Sequence, residues 1–392
     1  MRNGDRHLDG YRCWITCAVG LAVGLAWLFV VNRCAADDHE LVERIVNDWR
    51  ERQRISGVRY VVEGTYFIPK GFLSEPNETF PLEDESYPQR IVYYLDFENN
   101  RVRIERHGVE YFKDLTKRIP RDTYWVQTFD GRVCMDYYPR ARNDDLFRTN
   151  EWANDVTVYK EGDRSFFFQK GDSAVMLPHG ITPPTTWGFW RTGRLKPQLT
   201  SDAFVVHGRA SRDGRACVVL RTAPHLRKDA TWHELWVDVE RRSAILRYLA
   251  YHGDDATPLK RLDMWYGEEA GGHYPLLRYE VCDGLTGELV VMYDMNVVEW
   301  ERNPSFDKSL FRVEIRPGFN VDDLGAGRRY RKGAPGEPDR DLKELYLEQQ
   351  RAKGAWKRWL LAFGGTVLLL VVGWWIVRRG RGETTAAVGR QR

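Results

Sequence analysis

The sequence carries none of the compact signatures of catalysis. It has no HExxH, no GxSxG, no P-loop and no Rossmann glycine fingerprint. GAGRRYRKG (325–333) lacks the GK[ST] ending that would hold phosphates. The nine histidines are scattered, and His233-Glu234 on a strand would point to opposite faces. Asp254-Asp255 and Glu268-Glu269 fall in turns, where acidic residues are common. These absences point away from an enzyme and from any cofactor. A strong excess of one charge is missing too. Formal net charge is +3, and the tail from Arg378, with five Arg and one Glu, holds +4 of it, leaving about −1 elsewhere. A near-neutral body lacks the footprint of a nucleic-acid binder.

Cysteine is scarce, six in 392 residues. Cys13, Cys17 and Cys34 lie in or beside an apolar run. Cys134, Cys217 and Cys282 remain, with no CxxC and no zinc-like spacing. They form either one disulfide and one thiol or three buried thiols. No metal site is expected.

Two long apolar runs are present. Cys13–Val31 and Trp359–Val377 are each uncharged for 19 residues, enough to cross a ~30 Å hydrocarbon core at about 1.5 Å per residue. Residues 1–36 read as a signal peptide or an uncleaved signal anchor. Arg2, Arg6 and Arg12 precede the apolar run, and Cys34-Ala35-Ala36 offers a cleavage site. Residues 359–377 read as a transmembrane helix with Trp359, Trp374 and Trp375 at headgroup level. Residues 378–392 form a basic cytoplasmic tail, as positive-inside asymmetry prefers. The intervening chain is then extracytoplasmic.

That body is expected to be α+β. Asp38–Gln53 places Leu41, Val42, Ile45, Val46 and Trp49 on one helical face. The period then changes to two: Val58, Tyr60, Val62, Tyr66 and Ile68 alternate with polar residues. IVYYLDF and RVRIE form a hairpin around Glu98-Asn99-Asn100. Asp130-Gly131 suits a type I′ hairpin, and Asp213-Gly214 marks another turn. WHELWVDV, AILRYLAYH, LKRLDMWY, YPLLRYEVC and GELVVMYDMNVVEW continue as a meander, giving a large antiparallel sheet. MLPHGITPPTTWGFWRTG (176–193) reads as a loop that plugs the core or lines an apolar groove. Residues 325–338 read as a Gly/Pro/Arg-rich linker, and 339–358 as a juxtamembrane helix.

Several stretches together resemble the LolA/LolB-like family of bacterial outer-membrane lipoprotein carriers. They are VERIVNDWRERQRISGVRYVVEGTY (42–66), YLDFENNRVRIE (94–105), QTFDGRVCMDYYP (127–139), ELWVDVERRSAILRY (234–248) and NPSFDKSLFRVEIRPGFNVDDL (303–324). The resemblance implies that residues 37–324 form an open half-barrel with an N-terminal helix and capping segments. It also implies a bacterial inner-membrane location with the bulk of the chain periplasmic, and a concave face for acyl chains. Lining candidates are Tyr60, Val62, Tyr93, Leu95, Trp125, Trp187, Trp190, Trp236, Tyr248 and Trp265. The function it implies is lipid or lipoprotein binding or sensing, with the membrane and a lipid or lipidated protein as partners. The alternative is an envelope regulator or scaffold acting through protein contacts.

Overall fold

The computed structural model describes residues 37–72, 80–113, 118–141, 152–161, 173–179, 195, 199–227, 231–253, 257–270, 272–285, 288–348, 351, 363 and 365–375. The chain divides into two compact units. The first takes the residues before 140 together with 157–314; the second takes 140–156 and 315–392.

The first unit opens with helix α1, residues 37–52. Its strands are Gly57–Ile68 (β1), Glu85–Asp96 (β2), Arg101–Lys113 (β3), Arg118–Phe129 (β4), Cys134–Ala141 (β5), Phe204–Arg212 (β7), Arg215–Thr222 (β8), Thr231–Asp238 (β9), Ala244–His252 (β10), Lys260–Tyr266 (β11), Leu276–Leu285 (β12) and Glu288–Arg302 (β13). Their order is β5-β4-β3-β2-β1-β13-β12-β11-β10-β9-β8-β7. Neighbours pair antiparallel throughout, so two meanders meet where β1 pairs with β13. The large antiparallel sheet expected from sequence is therefore present, without βαβ crossovers. Short helical pieces join it: Ser173–Met176 (α2), running into a 3₁₀ turn at Leu177–His179.

The alternation read from the sequence sets the core. Val42, Ile45, Val46 and Trp49 of α1 share one cluster with Val58, Tyr60 and Val62 of β1, and with Leu235, Tyr248, Leu262 and Val281 of the later strands. Trp49 is fully buried. Its indole donates to the Ser243 carbonyl at 2.7 Å, and its ring meets Phe204 edge-on at 5.5 Å. Cys134, Cys217 and Cys282 are buried and form no disulfide with one another, in keeping with the buried-thiol alternative.

Turns follow local chemistry. Asp213 and Gly214 both take positive φ, 51° and 76°, between the paired residues Arg212 and Arg215, the two-residue hairpin that a primed turn makes. The Asp130-Gly131 hairpin differs. Phe129 pairs with Cys134, so the loop holds four residues, 130–133. There the Asp130 carboxylate accepts from the Arg132 and Val133 amides at 3.0 and 2.9 Å. A side chain that can mimic a turn carbonyl lengthens the loop.

The second unit contains most of Trp152–Val158 (β6), with Asn320–Asp323 (β14), Arg328–Arg331 (β15) and Arg340–Asp341 (β16). β14 and β15 pair antiparallel, as do β15 and β16. The stretch expected as a linker thus contains a strand. Its basic residues find acidic partners on a neighbour, with Arg329 3.3 Å from Asp322, and such cross-strand pairs stabilise an otherwise polar strand. Residues 342–348 and 365–375 are helical. Among the described residues no helix is long and apolar enough to cross a membrane. The rest of the expected 359–377 span, the N-terminal segment 1–36 and the tail lie outside the described residues.

One core group links pH to stability. His233 lies on β9 with 4% exposure, its Nδ1 3.0 Å from the Tyr248 hydroxyl, and burial pulls its pKa down to about 4. An unfolded histidine protonates near pH 6.5, before this folded one. Stability is therefore lost as pH falls from about 6.5 to about 4, by roughly 3 kcal/mol in total. Urea midpoints at pH 7 and pH 4.5 check this. The wild type is expected to lose more on acidification than His233→Gln, and equal losses would contradict the assignment.

Candidate functional site

Strand register brings the apolar candidates together. Across β1, β2, β3 and β4 the inward rows are Val58–Leu95–Val102–Phe129, then Tyr60–Tyr93–Ile104–Gln127, then Val62–Ile91–Arg106–Trp125. Tyr60, Val62, Tyr93, Leu95 and Tyr248 all join the core, and Trp236 packs against it in part. The Tyr60 hydroxyl lies 2.9 Å from His179 Nε2, and the His179 ring also meets Phe97 at 5.6 Å. Burial pushes the Tyr60 and Tyr248 hydroxyls up, out of any acid–base role near neutrality.

The remaining described candidates carry arginine on their rings. Arg106 lies 5.1 Å from Trp125, Arg247 5.0 Å from Trp236, and Arg212 and Arg278 4.9 and 4.7 Å from Trp265. Guanidinium groups over indole faces are stabilised by the ring quadrupole. By strand alternation Trp265 faces away from its core neighbours Met264 and Tyr266. Arg212 belongs to a network in which it, Arg247 and Arg261 meet Asp263 at 3.0, 2.6 and 3.1 Å, whereas Arg278 pairs with Asp294 at 2.8 Å. Trp187 and Trp190 lie outside the described residues, as does most of the 176–193 loop.

An open groove of about 720 Å³ lies on the same sheet, lined chiefly by Glu63, Arg90, His107, Asp122, Asn296 and Val298. None of the eight described candidates lines it. Glu63, Arg90 and His107 are successive cross-strand partners, one step out of phase with the row from Val62 to Trp125. Arg90 and Glu63 pair at 3.0 Å, and His107 meets the Tyr124 ring at 4.4 Å. Burial, and then the Arg90 charge, holds the His107 imidazole below its ordinary value. Two strand glycines border the groove. A β-carbon at Gly64 would lie 1.9 Å from the Asp294 carbonyl oxygen, and one at Gly108 would lie 2.1 Å from Gln89 Oε1. Reading each strand alone missed this set. Mid-strand glycine beside a polar row was the available signal, because it marks close backbone approach. No group of three metal-ligating side chains occurs among the described residues. The neighbours His233 and Glu234 diverge as alternation requires: Glu234 pairs with Arg221 at 3.0 Å while His233 meets Tyr248.

No family model and no curated protein matches the chain. Similar solved structures exist. One is described as a candidate outer membrane lipoprotein-sorting protein domain from Vibrio parahaemolyticus. It is 13% identical, covers 71% of this chain and 97% of its own, and has a TM-score of 0.39. A LolA superfamily protein from Nitrosomonas europaea is 10% identical, covering 69% of this chain and 97% of its own at TM-score 0.34. A DUF1329 family protein from Desulfovibrio piger is 12% identical, covering 71% and 97% at 0.35.

Proposed function

We propose that this chain is a membrane-tethered, extracytoplasmic LolA-like domain that binds an apolar ligand or a lipidated partner and catalyses no reaction. The observation that carries this reading is the cover on the sheet. The amphipathic helix α1 buries Val42, Ile45, Val46 and Trp49 in the cluster that holds Tyr60, Val62, Tyr93 and Leu95. An acyl chain competes for the same apolar surface at about 0.8 kcal/mol per buried CH₂. The tether is supported by residues 365–375, a helical stretch on which Leu368, Leu369, Leu370 and Trp374 are each more than 60% exposed. Side chains of that kind turned outward suit hydrocarbon. In this reading the anchor lies in a bacterial inner membrane, with the sheet on the periplasmic side and the basic tail in the cytoplasm.

A second reading is favoured by a specific observation. The apolar cluster is buried among the described residues, whereas the groove is open and carries the charged side chains of Glu63, Arg90 and Asp122, two of them an ion pair. That arrangement suits an envelope regulator or scaffold acting through protein contacts.

Lipid extraction and mass spectrometry on the full chain, purified in a detergent free of fatty acid, separate the two. The proposal predicts stoichiometric co-purifying lipid and saturable binding of a fluorescent fatty acid. A folded chain that carries no lipid and ignores the probe leaves the scaffold reading.

A further inference from the structure

Proteins seldom bury arginine without a carboxylate beside it, because an uncompensated charge is costly to desolvate. Arg52, near the end of α1, is only 7% exposed, and among the described residues its guanidinium donates to the main-chain carbonyls of Pro178 at 3.3 Å, Arg241 at 3.0 Å, and Arg242. Arg241 and Arg242 are likewise held by carbonyls. Arg241 reaches Tyr266 O at 3.4 Å, and Arg242 reaches Gly272 O at 2.6 Å. These bonds link Arg52 through the turn before β10 to the 270–273 turn, where His273 sits.

The groups around this rim are unevenly charged. Arg302, Arg52 and Arg242 all act on His273, whose imidazole is pulled down to about 4, by burial first and then by those charges. Among the described carboxylates, Asp48 acts against this charge at Arg52 and Glu269 at His273, and each is hydrogen-bonded to a hydroxyl. Asp48 accepts from the Ser243 hydroxyl at 2.5 Å, and Glu269 from the Tyr274 hydroxyl at 3.5 Å. Burial also lowers the Arg52 pKa, with Tyr266 and Asp48 opposing it. The floor is buried while Arg242 and Arg302 are exposed, so the positive field opens to solvent.

We infer that the rim formed by Arg52, Arg241, Arg242, His273 and Arg302 binds a phosphate-type anion. Guanidinium groups match phosphate oxygens in a planar, two-pronged geometry, and a partly desolvated cluster strengthens each contact. The inference deepens the proposed function, on which it rests for the source of the anion: the apolar ligand is an anionic amphiphile whose headgroup lies at this rim. Free phosphate has the same chemistry, and the test separates the two.

The full chain in non-ionic detergent is titrated with dioctanoyl phosphatidylglycerol, with neutral dioctanoylglycerol and with inorganic phosphate. Calorimetry reads affinity. NMR follows the His273 imidazole, identified with His273→Asn. The double variant Arg242→Gln/Arg302→Gln changes exposed positions only. The phosphatidylglycerol is expected to bind about tenfold tighter than the neutral lipid. That preference is expected to vanish in the double variant and to weaken at about 0.5 M salt, and the bound anion is expected to raise the His273 titration midpoint. A midpoint raised by inorganic phosphate, with neither lipid binding, keeps the anion site and removes the lipid reading. Equal binding of both lipids, with no response to phosphate, overturns the anion site and keeps the lipid reading. A preference unchanged in the double variant also overturns the site.

Discussion

Trp49→Ala lowers the unfolding free energy by about 4 kcal/mol, within the range for truncating a buried large aromatic. Two costs combine. The indole is wholly buried against Phe204, so its removal leaves a cavity that α1 and β7 cannot both close. Its Nε1–H also serves the Ser243 carbonyl, which would be left without that donor. Trp49→Phe retains most of the packing and loses only the hydrogen bond, for about 1–2 kcal/mol. Urea midpoints for the three proteins, at unchanged slope, check the ordering. An alanine variant within about 1 kcal/mol of wild type would show that α1 adds little to the core.

Gly64→Ala is expected to cost on the order of 3 kcal/mol, at the top of the usual range for overpacking. The added methyl group meets main chain: the Asp294 carbonyl oxygen at 1.9 Å and Met295 Cα at 2.8 Å. Backbone atoms in a paired strand cannot swing aside as a side-chain end can. Gly64 pairs with Met295, and the register already shifts at Val61/Val62, so relief requires β1 and β13 to part locally. Those strands join the two meanders. The opposite case is Gly208 on β7, where an added methyl group would have nothing within 4 Å. Gly208→Ala is expected to be neutral or to stabilise by a few tenths of a kcal/mol through the unfolded chain. Amide exchange on β1 and β13 distinguishes the two variants. Faster exchange confined to those strands is expected for Gly64→Ala, and equal midpoints for both variants would contradict the close approach.

Much of this fold is legible in the chain. The spacing of Val42, Ile45, Val46 and Trp49 fixes a helical face, and the alternation of Val58, Tyr60 and Val62 fixes which side of β1 is inward, because both periods follow from backbone geometry. The pairing of β1 with β13 joins residues more than 230 positions apart in the chain at its start, such as Val58 and Arg302. It follows from where two meanders meet, which no local pattern encodes. Arg328–Arg331 escaped for a related reason. RRYR has no apolar alternation, and it is a strand because Asp322 and its neighbours lie opposite. The groove is a contact set drawn from β1, β2, β3, β4 and β13, so its members are remote in sequence. Trp236 and Trp265 are apolar lining in what the family resemblance implies. The structure clothes them with Arg247, Arg212 and Arg278 from other strands. A tryptophan's surroundings depend on register as much as on its own chemistry.

The central claim is that the sheet face under α1 accepts an acyl chain. A fatty acid bearing a photoactivated diazirine at its tail, cross-linked to the full chain and mapped by peptide sequencing, tests it most directly. Labels are predicted within 42–49, 58–62 and 91–95, and excess unlabelled fatty acid should remove them. Labelling confined to 365–375, or spread over the strand faces that carry Trp265 and Arg278, would contradict it.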